Sequence, residues 1–226
     1  MDSAIKSLNQ NADLFETTTG RWSWLYTLSG TAALLAGALF LAAAAGYVAS
    51  LIAPSTLNGW GWPFSSNWLI VLFELHAGIA GARPNPLQGL NLADLLSLVL
   101  VAGTYLGLYA ALQKSSRIWA MVALAQAILA PVLFVATQSA GRSGVMGAGL
   151  VASAVMLRGK DFGKVTAFMG IGASALLLLS DFSVGLTHSK IIGGFTGLGY
   201  GLLITWLFLV AWRLFQLGRA SQGSPQ

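Results

Sequence analysis

Apolar residues fill long stretches of this chain, and the polar positions between them fall in short clusters, without the alternation of a strand or the one-sided stripe of a surface helix. Stretches of that kind read as helices that are apolar all round. The pattern predicts six, at about 22–53, 92–113, 118–137, 143–157, 165–183 and 192–217. A helix crosses a hydrocarbon core with about 20 apolar residues, so each is expected as a membrane span, the fourth being the shortest. The first opens on Trp22, Trp24 and Tyr26, an aromatic belt suited to headgroup depth, and ends before Pro54.

The stretch at 67–88, "NWLIVLFELHAGIAGARPNPLQ", breaks the pattern, because it sets Glu74 and His76 in the middle of an apolar run and Arg83 just beyond it. Charge decides how it is read. With the N-terminus inside and this stretch not crossing, Lys6, Arg21, Lys114, Arg117, Arg158, Lys160, Lys164, Arg213 and Arg219 fall inside, against Arg83, Arg142 and Lys190 outside. If the stretch crosses, every later loop changes side and the excess of inner Lys and Arg disappears. The expected fold is therefore all-α and integral to the membrane: a six-transmembrane-helix bundle with a re-entrant or interfacial helix at about 68–78, on the outer side between the first two spans. Residues 1–21 and 218–226 are expected as cytoplasmic tails flanking one membrane domain at 22–217.

Composition agrees. Of 226 residues 56% are hydrophobic and only 8% charged, against about 25% charged in soluble domains, and the mean hydropathy is +0.72. A buried all-helical soluble protein would lack the polar residues to wet its surface. The net charge of +5 is spread over short loops and forms no stripe that would track phosphates, so no nucleic-acid partner is expected. Cysteine is absent, which excludes disulfides, thiolate metal sites and Cys nucleophiles. The polar start, "MDSAIKSLNQNADLFETTTGR", lacks the short basic region followed by an apolar core of a signal peptide.

Lipid gives helices no hydrophobic reason to associate, so close packing calls for small residues on a shared face. Gly193, Gly197 and Gly201 recur every fourth residue in the last span, Gly103, Gly107 and Ala111 in the second, and Ala38, Ala42, Gly46 and Ser50 in the first. All three faces are expected to pack mainly within the chain. Pro131, inside the third span, should kink it and free a carbonyl near Ala127, with Gln126 one turn earlier bonded to a neighbour or lining a site.

On this topology Glu74, His76, Asp94, Arg142, Asp181 and His188 gather on the outer side, where a polar cluster can form a ligand site. Arg142 and Asp181 are candidate partners across two spans. Asp94 opens the second span, where a carboxylate favours the helix N-terminus. A metal or a bis-His haem held by His76 and His188 is a weaker reading, because ligand spacings at i and i+3 or i+4 are missing. No Walker A, GxSxG or HExxH motif occurs, and Ser189, His188 and Asp181 have no triad spacing. No catalytic residue, metal ligand or cofactor is assigned.

From "GLNLADLLSLVLVAGTYLGLYAAL" through "ATQSAGRSG" to "LVAWRLFQLG", over about the last 140 residues, the chain resembles a loosely defined set of uncharacterised prokaryotic multispanning membrane proteins. The resemblance implies a prokaryotic cytoplasmic membrane and no assigned activity. Three functions stay open: a non-enzymatic binding or accessory subunit of a membrane assembly, favoured by the scarce buried charge and small-residue faces; a small-solute or ion transporter; and, less favoured, a metal- or haem-dependent membrane enzyme. The expected partners are the lipid bilayer and other membrane subunits or further copies of the chain.

Overall fold

The computed structural model describes residues 22–52, 92–136, 138–183 and 190–222. They form five α-helices and, among the described residues, no strand: α1 Ser23–Ile52, α2 Leu92–Ala136, α3 Gln138–Met156, α4 Lys164–Ser183 and α5 Lys190–Gln222. Four of them, α1, α2, α4 and α5, are long and apolar enough to cross a membrane. The expected outer helix at 68–78 lies outside the described residues.

The surface is the reverse of a soluble protein's. Trp24, Ile118, Val132, Phe168, Leu179, Leu198 and Trp212 are exposed, whereas Ser29, Ser97, Thr104, Ser153, Ser174 and Ser180 are buried. In water that arrangement leaves large apolar areas exposed; against lipid it leaves the small hydroxyls dry between helices and turns the bulky side chains to acyl chains. This is a multi-pass membrane protein.

At 45 residues α2 would be roughly 67 Å long if straight, about twice the hydrocarbon thickness. It is broken at Ser116, whose φ of −163° and ψ of 97° are extended. The sequence predicted a polar connection at 114–117; a single residue leaves the helical conformation. Helix contacts show what that residue accomplishes. Gly103 lies on Ala32 and Gly107 on Ser29, so the first arm of α2 runs antiparallel to α1. Gly30 on Phe215 and Gly37 on Leu207 set α5 antiparallel to α1, and Gly172 on Leu202 with Gly199 on Leu177 set α4 antiparallel to α5. Gly149 on Ser174 and Gly170 on Ser153 do the same for α3 and α4, and Gly144 on Ala130 with Gly147 on Gln126 for α3 and the second arm of α2. Following these five relations round the bundle makes the two arms of α2 antiparallel to each other. The chain reverses at Ser116.

The bundle therefore has two ends. One holds the start of α1, Ser116, the α3–α4 connection and the end of α5; the other holds the end of α1, the start of α2, the α2–α3 junction and the α4–α5 junction. At the Ser116 end, Phe162 is buried and anchors the α3–α4 connection. Arg213 of α5 donates from Nε to the Asp161 carbonyl of that connection and from Nη1 to Gln216 Oε1 at 2.8 Å. Between the two ends, the first arm of α2 supplies Tyr105, Leu108 and Leu112 to a core that Phe134, Met156, Trp206, Leu207 and Leu214 complete.

Two boundaries differ from the expected ones. Helix α3 begins at Gln138 rather than near 143, because "QSAGR" is compatible with helix and Gly141 sits against Phe134 and the Ala130 carbonyl. Helix α5 continues to Gln222, five residues beyond the expected end, as Gly218 packs on α1 beside Thr27 and Ser23. Pro131 lies within α2, where Ser116 is the residue with non-helical dihedrals.

Candidate functional site

Of the six residues expected to form an outer polar cluster, Glu74, His76 and His188 lie outside the described residues. Asp94 occupies the first turn of α2, at the end of the bundle that also carries Arg142 and Asp181. Arg142 and Asp181, on neighbouring helices α3 and α4, interact electrostatically. The Arg142 guanidinium also lies over the Phe134 ring, 5.9 Å from its centroid, which gives the cation a second, π-type partner from α2. The earlier start of α3 is what puts Arg142 on a helix rather than in a loop. Both charged residues are half-buried. Among the described residues no group of three His, Asp or Glu comes together as a metal site would require.

A second polar group was not singled out from the sequence. On the buried side of α4, Thr166, Gly170 and Ser174 recur every fourth residue and share one face, and Ser180, six residues further on, is turned about 120° from Ser174 towards α5. Three of them meet polar groups of neighbouring helices. Ser180 Oγ and Thr196 Oγ1 of α5 are hydrogen-bonded to each other. Ser174 Oγ and the Tyr105 hydroxyl converge beside Gly149, at 2.5 and 3.3 Å from where its Cβ would stand. Ser153 Oγ and Trp206 Nε1 converge beside Gly170 in the same way. Tyr105 and Trp206 are themselves neighbours, with ring centroids 6.4 Å apart and planes tilted by 44°. The four-residue step of Thr166, Gly170 and Ser174 was visible in "TAFMGIGAS"; which side of α4 it faced was not.

The two groups have different chemistry. The Arg142–Asp181 pair offers opposite charges at one end of the bundle, suited to holding a polar or ionic ligand. The α4 group offers neutral hydroxyls and one indole N–H, with neither a nucleophile paired to a base nor a metal ligand set.

The small-residue faces also separate. Gly103 and Gly107 are in contact with α1, whereas Gly197 and Gly201, with Gly194 beside them, have no described atom within 4 Å of a would-be Cβ. Gly193 lies in the first turn of α5, and its surroundings are outside the described residues. The glycine of α5 that does pack inward is Gly199, on Leu177 and Leu176 of α4.

No known protein family, curated protein or solved structure matches the chain.

Proposed function

We propose that this protein is a non-enzymatic binding or accessory subunit of a membrane assembly, with six crossings, both termini cytoplasmic and its polar end extracytoplasmic. The excess of Lys and Arg at the Ser116 end, where Lys114, Arg117, Arg158, Lys160, Lys164, Arg213 and Arg219 lie, supports that orientation in a prokaryotic cytoplasmic membrane. The antiparallel arms of α2 support counting it as two crossings, and the extended α3 as one more. A connection at 53–91 that leaves from and returns to the same end fits an outer hairpin.

The observation that carries the subunit reading is the outward face of α5. A glycine within a helix costs about 1 kcal/mol relative to alanine. In a membrane bundle that cost is offset where the missing side chain lets another backbone approach. Gly194, Gly197 and Gly201 receive no such return from the described bundle, and a further helix laid against them would supply it. The test is the size of the particle extracted in mild detergent from membranes of the source cell. The wild-type chain is expected in a complex larger than one chain, and a Gly197→Leu/Gly201→Leu variant as a single chain of unchanged thermal stability. A wild-type chain that is monomeric and partnerless under these conditions overturns the reading.

The transporter reading has its own support in the Arg142–Asp181 pair together with the buried hydroxyls of α4. Solute or ion uptake by liposomes carrying the purified chain, lost in Asp181→Asn, would establish it in place of the subunit reading.

A further inference from the structure

The strongest unassigned feature of the bundle is a group of cations that the sequence keeps apart and the fold joins. Lys114 and Arg117 stand on either side of the reversal at Ser116, and Arg158 and Lys160 on either side of Gly159, in the connection from α3 to α4. Ser115 Oγ lies 2.7 Å from where a Cβ on Gly159 would stand, so a side chain there would hold the two turns apart and the glycine lets them touch. Lys114, Arg158 and Lys160 are one residue from that contact and Arg117 two. At about 3.8 Å per residue, each of the four Cα atoms is within about 8 Å of one of the touching residues. All four side chains are exposed.

Among the described residues none of the four cations is ion-paired. The one acid described at this end, Asp161, belongs to the side of α1 and α5: its charge reaches the Tyr26 hydroxyl of α1, and its carbonyl accepts from Arg213 of α5. Trp24 near the start of α1, Trp119 in the second arm of α2 and Trp212 near the end of α5 are all exposed here, an aromatic belt that sets this end at headgroup depth. Ile118 and Trp119, directly after Arg117, turn apolar surface outward. Unpaired cations at headgroup depth with apolar side chains beside them match a molecule that is anionic at one end and apolar along the rest.

We propose that the touching turns at 114–117 and 158–160 form a binding site for the headgroup phosphate of an anionic phospholipid, phosphatidylglycerol being the one to test, whose acyl chains run along Ile118 and Trp119. Lys and Arg are the side chains that hold a phosphate, Arg with a fork of donors and Lys as a point charge. The bias of cations towards one side of a membrane asks only that they lie on that side, however spread. A site asks for them at one place, and the contact of Ser115 with Gly159 supplies that. An acidic protein would meet the charge but not the apolar surface that continues from it into the bilayer. The site is independent of both functional readings above.

Native mass spectrometry of the full-length chain in neutral detergent tests it, with phosphatidylglycerol and phosphatidylcholine of the same acyl chains added in equal amounts. One Lys or Arg at the membrane surface strengthens binding of an anionic lipid about fivefold, so removing two should weaken it at least about tenfold. The wild type is expected to retain one phosphatidylglycerol in preference to phosphatidylcholine, and Arg117→Gln/Arg158→Gln to lose that preference by at least about tenfold. Lys164→Gln/Arg219→Gln, which removes the same charge from the same end but outside the two turns, should keep it. Should the arginine pair fold poorly, Lys114→Gln/Lys160→Gln takes its place. No preference in the wild type overturns the site, as does an equal fall in both variants, which would mean diffuse attraction to the whole basic end. Displacement by glycerophosphoglycerol, the same headgroup without chains, at matched concentration would make the ligand a soluble phosphate and overturn the lipid. A preference found only in Asp2→Asn/Asp13→Asn/Glu16→Gln would make the acidic residues of the N-terminal tail the occupant, and overturns it too.

Discussion

Two glycine faces with the same four-residue spacing have opposite fates in this protein. Gly103 and Gly107, on the first arm of α2, meet α1, where a Cβ on Gly107 would stand 2.5 Å from Ser29 Cβ and 2.9 Å from its Oγ. A Cβ on Gly197 or Gly201, on α5, would have no described atom within 4 Å. The spacing by itself says only that a helix can be approached closely on that side. Whether its own chain makes the approach depends on the rotation of the helix, and α5 is rotated so that Gly199, Leu203, Trp206, Leu207 and Val210 face inward. Its glycines at 197 and 201 are left for something else.

The comparison predicts a graded response to added side chains. Of the glycines on these two faces, Gly107→Ala should be the most damaging, lowering stability by about 1–3 kcal/mol as α1 and α2 are forced apart; reversible unfolding in mixed micelles reads the loss. Gly103→Ala, with Ala32 Cβ at 3.3 Å, should cost less than Gly107→Ala in the same assay. An equal cost would mean that the contact is not set by backbone approach.

A charged contact on another interface gives the next effect in size. Asp181→Asn should weaken the bundle by about 1 kcal/mol, in line with polar interhelical contacts in membranes. In a double-mutant cycle with Arg142→Gln most of that loss should vanish when Arg142 is already gone. Full additivity would show that the two side chains act independently, each solvated at the bundle edge.

The smallest effect on stability belongs to the outward face. Gly197→Leu with Gly201→Leu should change unfolding of the isolated chain by no more than about 0.5 kcal/mol, as surface substitutions do. The same pair should abolish co-purification of any partner. A loss of stability as large as that of Gly107→Ala would erase the contrast, since it would place this face against another part of the same chain.

Much of the architecture was legible because lipid demands so much of a sequence. Helices that cross a membrane must be long and apolar, and their ends must be marked by charge, so α1, α4, α5 and both arms of α2 could be placed within a few residues. Helix α3 was read as too short because its first turn is polar, although Gln138, Ser139 and Arg142 are all acceptable in a helix. Glu74, His76 and His188 lie outside the described residues, so what the cluster gains from them rests on the charge pattern alone. The buried hydroxyls of α4 were overlooked because serine and threonine in a span carry no charge and raise no alarm in a reading based on hydropathy.

The sequence by itself determined that this is a helical membrane protein, roughly where its helices begin and end, and that polar connections separate them, because burial in lipid acts on each residue one at a time. Only the tertiary structure decided that the chain reverses at Ser116, that Gly107 rather than Gly201 touches a neighbouring helix, and that Ser153 and Trp206 meet beside Gly170. These depend on how each helix is rotated about its axis relative to its neighbours. A helix apolar all round carries no stripe to announce that rotation, so it is settled by which side chains interlock when the bundle packs.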